Sequence, residues 1–175
     1  DDHTGWCYCN HSKAEFEEWL GETITDWPGE FGRGGSRQLE FLEWRTIPVT
    51  NLVRDMTKWM KAIKPNLTIG AAVWTYFGNA PSYWRKYLGQ DTGRWVKESY
   101  LDFVSPMIYT NNTADFKGMF LDDLEYMVDG PEGKIPIVPF IDVTRKNTPQ
   151  TLKEEIEILR NYSADGWILW SYGGP

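Results

Sequence analysis

Four short apolar runs recur along the chain, at residues 67–74, 101–109, 134–141 and 165–172. The first reads LTIGAAVW and follows Lys64-Pro65-Asn66, a combination that stops a helix. Runs that are apolar at nearly every position, rather than at alternate ones, suit strands of a parallel sheet covered on both faces. Pro106, Pro136 and Pro139 fall inside two of the runs. They predict bulges or local bends, because proline cannot donate to a ladder.

Between the runs the spacing becomes helical. Over residues 44–63, Ile47, Leu52, Val53, Met56, Met60 and Ile63 form a stripe at helical spacing, the mark of a helix face turned to a core. Pro48 is expected in the first turn of that helix or at its start. Further helices are predicted over 13–22, from Asp91 or Thr92 to 97, over 116–127 and over 151–162. Thr148 caps the last of these, with Pro149 at its first helical position. The glycine-rich stretch 29–36 reads as a flexible loop. Strands that alternate with helices leave two architectures, a doubly wound sheet or a (β/α)8 barrel. No Gly-x-Gly-x-x-Gly follows a strand, so nucleotide binding has no support.

Composition narrows the function classes. A net charge of −7 and a pI near 4.9 argue against nucleic acid as a partner, which needs a basic face, and against anionic membrane surfaces. No apolar run approaches the roughly 20 residues of a membrane-spanning helix. The 175 residues include 10 Trp, 9 Tyr and 8 Phe. Large rings fill cores, and they also line sugar grooves, where a ring face packs on pyranose C–H groups. Four sequons, at Asn10, Asn66, Asn111 and Asn161, point to an extracellular or cell-surface glycoprotein. Cys7 and Cys9 do not make a disulfide framework. With His11 and His3 they match a zinc ligand count, but the spacing is too tight for the usual separated ligand pairs. Free or structural cysteines are the preferred reading, and no metal or other cofactor is expected.

The strand ends carry a resemblance. Residues 67–74, Asp102-Phe-Val-Ser-Pro-Met-Ile-Tyr109, residues 135–140 and Gly166-Trp-Ile-Leu-Trp-Ser171 resemble the fifth to eighth strands of the family 18 chitinases and their relatives. The intervening residues are closer to the family 10-like glycosyl hydrolases of the same group. There a strand ends in Asp-Asp-His, here Asp1-Asp2-His3, and a Trp-Arg pair, here Trp44-Arg45, opens a long helix. An Asp…Trp-Val…Asp-Phe-x-x-Pro-x-x-Tyr stretch then follows, here Asp91, Trp95-Val96, Asp102-Phe103, Pro106 and Tyr109. The resemblance implies an α/β fold, a (β/α)8 TIM-type barrel. Residues 1–175 would be its C-terminal half, from the end of strand 4 to strand 8, with an N-terminal half of the same barrel expected outside them. The Asp-x-Glu of family 18 is absent, since no Glu follows Asp1-Asp2.

Reactive residues of such barrels sit at the C-terminal ends of strands. Asp1 and Asp2 would end the fourth strand, Trp74 and Tyr76 follow the fifth, and Tyr109 and Asn111 the sixth. Asp142 follows the seventh, and Trp170 and Tyr172 end the eighth. Glycoside hydrolysis uses two carboxyl groups across the scissile bond. Asp2 is the preferred general acid, with Asp1 as its partner or pKa tuner, and the second carboxyl is Asp142 or an acid of the other half of the barrel. Arg45, placed at a helix start against the dipole, is expected to reach a carboxylate at the barrel mouth. Together with Trp74, Tyr76, Tyr109, Asn111, Trp170 and Tyr172 it would bind a carbohydrate substrate. The competing reading is a non-catalytic carbohydrate-binding or cell-surface structural protein on an enzyme-derived barrel; a metal-dependent deacetylase is the weaker third.

Overall fold

The computed structural model describes residues 6–76, 87–143 and 147–170. Two helices come first, α1 (Asn10–Leu20) and α2 (Gln38–Ile63). Then follow β1 (Gly70–Trp74), α3 (Thr92–Lys97), β2 (Phe103–Ile108) and α4 (Thr113–Tyr126). A two-residue hairpin, β3 (Asp129–Gly130) and β4 (Gly133–Lys134), precedes β5 (Phe140–Asp142), α5 (Pro149–Asn161) and β6 (Ile168–Trp170). The main sheet has the order β1-β2-β5-β6, with every pair parallel. Each of the four expected strands is present, in chain order across the sheet, and parallel neighbours need the crossover connections that the helices supply. The fold is mixed α/β with a parallel sheet.

The two faces of this sheet differ. Val73, Val104, Ile108, Ile137 and Ile141 point to one side, where they are buried against Trp95, Phe116, Phe120 and Leu159 of α3, α4 and α5. The alternate residues point to the other side, as the period of a strand requires. There Gly70, Ala72, Trp74 and Trp170 are exposed, and Phe103, Met107, Phe140 and Ile168 are partly so.

The prolines act on the ladder rather than by bulging. Val104 donates to the Pro136 carbonyl and accepts from Val138. The next residue of β2 turned the same way is Pro106, which has no N–H. Pairing with β5 therefore consists of an isolated bridge at Val104↔Ile137 and resumes at Met107↔Phe140. The strand expected over 134–141 shrinks to three residues for this reason.

Three other expectations change. Helix α2 starts at Gln38, so Pro48 lies in its interior. The extra turns form because Phe41, Leu42 and Trp44 bury themselves in a second, aromatic cluster with Trp6, Phe16, Ile24 and Phe31; packing outweighs the backbone hydrogen bond that Pro48 removes. The α2 stripe splits: Val49, Val53 and Met60 pack on the sheet core, while Leu52, Met56, Trp59 and Ile63 are exposed. The stretch 29–36 is a set of tight turns, not a loose loop. Phe31 within it is fully buried and stands edge-on to Phe16 at 5.0 Å. Gly35 is required there, since a Cβ would lie 2.2 Å from the Glu30 carbonyl oxygen.

Candidate functional site

The C-terminal ends of β1, β2, β5 and β6 form one edge of the sheet, and the register aligns them. Met107 pairs with Phe140 and Phe140 with Ile168; one step on, Ile108 pairs with Ile141; one further, Asp142 pairs with Trp170. Tyr109 follows Ile108 and so comes level with Asp142 and Trp170.

Asp142 is buried at the end of β5. Its carbonyl accepts from Asn147 Nδ2, which also lies 3.3 Å from Glu155 Oε2 on α5. Glu155 has no exposed surface, and its Oε1 makes no hydrogen bond among the described residues. Burial first, then the neighbouring charge of Asp142, pushes its carboxyl up to about 7. The same two causes raise the Tyr109 phenol: burial first, then Asp142. The sheet edge thus holds one strand-end carboxyl, a phenol facing it, and a second carboxyl behind it that keeps its proton to near neutrality. Trp170, half exposed, sets its ring edge-on to Phe140 at 6.1 Å and 88°. A strand-end carboxyl beside aromatic surface suits acid–base chemistry on a polyhydroxylated ligand.

Sequence reasoning missed Glu155 and Asn147. A signal for Glu155 existed: Leu152, Glu155, Ile156 and Leu159 share one face of α5 by helical spacing, so a carboxyl stands in an apolar stripe. Asp123 on α4 repeats the pattern beside Phe116, Phe120 and Met127. It accepts from Thr75 Oγ1 and from the Tyr76 N–H, both at 2.8 Å, and burial raises its pKa well above the ordinary value.

The other sequence-derived residues fall as follows. Tyr76 is drawn toward the helix layer, with its N–H on Asp123 and its ring 5.7 Å from Tyr126. Trp74 is exposed, and its backbone N–H donates to Gln90 Oε1 at 2.9 Å. Asn111 is exposed in the turn before α4, whose cap is the next residue, Asn112. Arg45 does not begin a helix, because α2 starts seven residues earlier, so its expected conflict with the dipole disappears. Arg45 Nη1 donates to the Tyr87 carbonyl at 2.9 Å, and its guanidinium lies 4.9 Å above the Trp6 ring. Asp1, Asp2, His3 and Tyr172 lie outside the described residues. Cys7 and Cys9 are free and exposed, and among the described residues no three His, Cys, Asp or Glu side chains gather as a metal site would need. No described helix is long and apolar enough to cross a membrane.

The family pattern described as glycosyl hydrolase-like 10 matches residues 16–152. The chain belongs to that family. The matched span contains Arg45, Trp74, Tyr76, Tyr109, Asn111, Asp142 and Asn147. Among solved structures the chain is similar to bee venom hyaluronidase in a monoclinic crystal, at 14% identity and a TM-score of 0.50, over 92% of this chain and 55% of that one. It is also similar to bee venom hyaluronidase in complex with a hyaluronic acid tetramer, at 14% identity and a TM-score of 0.57, over 94% and 55%. The likeness is one of fold, that of glycosidase TIM-barrel enzymes, and the chain spans about half the length of the structures it matches. No curated protein matches the sequence.

Proposed function

We propose that this chain is the C-terminal half of a (β/α)8 glycoside hydrolase barrel acting on a polysaccharide or glycan. The observation that carries this reading is the alignment of Asp142, Tyr109 and Trp170 at the C-terminal edge of a parallel sheet, in a chain of the glycosyl hydrolase-like 10 family. Asp2 is the general acid of the scheme and Asp142 the second carboxyl. Asn147 and Glu155 hold the end of β5, and a protonated Glu155 leaves Asp142 without a second negative charge at its back. Arg45 packs on Trp6, which closely follows Asp1-Asp2 in sequence, and is the substrate-binding cation of the scheme.

Two apolar surfaces support further strands and helices of the same barrel. Parallel sheets are covered on both faces, yet Trp74, Met107, Phe140 and Ile168 line a face that no described helix covers. On α2 the stripe Leu52, Met56, Trp59 and Ile63 is exposed, and among the described residues β1 is an edge strand of the sheet, where a preceding strand and helix would pack. The four sequon asparagines, Asn10, Asn66, Asn111 and Asn161, are all exposed, which suits an extracellular or cell-surface glycoprotein.

Turnover of a glycan panel that includes hyaluronan oligosaccharides, by the intact protein and by Asp2→Asn and Asp142→Asn, tests the reading. Each substitution is expected to lower kcat by about 10²–10⁴-fold, the usual worth of general acid–base catalysis. Unchanged turnover in Asp2→Asn removes it as the acid. The exposed Trp170 ring favours a second reading, a carbohydrate-binding protein without turnover. Binding lost in Trp170→Ala but intact in both Asn variants, with no hydrolysis by any of them, selects that alternative.

A further inference from the structure

Cys7 and Cys9 flank Tyr8 in the segment that leads into α1. Both thiols are exposed and unbridged, and the Cys7 Sγ donates to the Cys9 Sγ at 3.0 Å. Successive side chains of an extended segment alternate, so residues two apart project to the same side. Tyr8 explains why this pair stays together. Its ring stacks on Phe41 at 5.6 Å and meets Trp27 edge-on at 5.8 Å, and its carbonyl accepts from Trp27 Nε1 at 2.9 Å. The aromatic cluster thus grips the middle residue and leaves both sulfurs on the outside.

The two thiols are not equivalent. Cys9 is the N-cap residue of α1, and its sulfur is 3.4 Å from Ser12 Oγ. The Ser12 hydroxyl first, then the Cys7 thiol and the helix-end amides, bring the Cys9 thiol down to about 6. Cys9 is therefore the attacking thiolate near neutral pH, and Cys7 is the resolving thiol within reach of it.

We propose that Cys7 and Cys9 form a dithiol site that closes reversibly to an intramolecular disulfide by exchange with a low-molecular-weight disulfide. The Cys9 thiolate attacks one sulfur of the incoming disulfide, a mixed disulfide forms, and one small thiolate leaves. Cys7 loses its proton and attacks Cys9 Sγ; the Cys7–Cys9 bond forms and the second small thiolate leaves. Two electrons pass from the protein to the small disulfide, and the protons of the two cysteines end on the two released thiols. This site is independent of the glycosidase reading, and its test needs no sugar.

The intact protein, reduced and then held in a series of reduced and oxidised glutathione mixtures, is quenched with iodoacetamide and weighed by intact-mass spectrometry. The expected oxidised product takes up no alkyl group, carries no glutathione and is lighter than the reduced chain by two hydrogens. Cys7→Ser is expected to stop at one glutathione per chain, on Cys9. Cys9→Ser reacts at least about tenfold more slowly at pH 7, as the loss of a low-pKa thiolate requires. Glutathione held on the wild-type protein, disulfide-linked dimers instead of an internal bridge, or a chain that stays reduced throughout would each overturn the proposal. Equal rates for the two single variants would overturn the assignment of Cys9 as the attacking thiol.

Discussion

The aromatic region around α1 and the start of α2 and the sheet region that follows are packed by different means. Around the sheet, buried aliphatic residues occupy alternate strand positions and regular helix faces, so each place follows from a short period. In the aromatic region the centre is a pair of rings, Phe16 and Phe41, 5.2 Å apart. Phe16 meets Trp19, Trp27, Phe31, Phe41 and Trp44 with centroid distances between 5.0 and 6.0 Å. Those partners come from two helices and an irregular turn, with no shared period. A sheet core distributes its stabilisation over many interchangeable aliphatic contacts. The aromatic cluster concentrates it on a few fully buried rings, Phe16 and Phe41 foremost, and Phe41 also meets Trp6, the ring under Arg45.

That contrast is broken most directly at Phe16. Phe16→Ala is expected to cost about 3–5 kcal/mol, the usual range for deleting a buried aromatic ring. Ile141→Val in the sheet core should cost only about 1 kcal/mol. Urea unfolding of both variants measures the gap, and similar costs would mean that the two cores share their load equally.

Glu155 sharpens the sheet side. Its folded pKa of about 7 stands above the ordinary 4.5, so between those values the folded chain holds more protons than the unfolded one. Stability from this group is complete below about pH 4.5 and falls as pH rises to about 7, by about 3 kcal/mol in all. Glu155→Gln should remove that decline and become the more stable form at pH 8. Asp123 is raised in the same direction, so the quantity to follow is the wild-type minus Glu155→Gln difference in unfolding free energy across pH 4–8. A difference that stays flat would place an ionised Glu155 beside Asp142. The smallest effect belongs to helix ends. Thr148 Oγ1 accepts from the Thr151 N–H at 3.1 Å, and Thr148→Ala should cost about 1 kcal/mol, read as a lower thermal midpoint with unchanged far-UV helicity.

Much of the sheet region was legible in advance. The four apolar runs became β1, β2, β5 and β6, and Thr148 and Pro149 began α5 as their chemistry requires. The candidate site was legible only in part. Asp142 could be placed at a strand end, but nothing local indicated that Asn147 and Glu155 would close behind it. The sequence places Arg45 in the long helix, and Pro48 suggests a start close by, but the helix begins at Gln38. The backbone penalty of Pro48 is outweighed by burial of Phe41, Leu42 and Trp44, residues that precede it.

The sequence by itself determined the order of strands and helices and the side chains that each turns to one face, because those follow from periods of two and 3.6 residues within a single element. It determined as well that two helices, α4 and α5, carry a carboxyl in an apolar stripe. Only the tertiary structure decided what those carboxyls meet. Crossover packing brings Asp123 against Thr75 and Tyr76, and Glu155 against Asn147 and the charge of Asp142. It likewise gathered Trp6, Phe16, Phe31 and Phe41 into one cluster. Such meetings depend on how whole elements dock, and hydrophobic burial is non-directional until that docking fixes which surfaces touch.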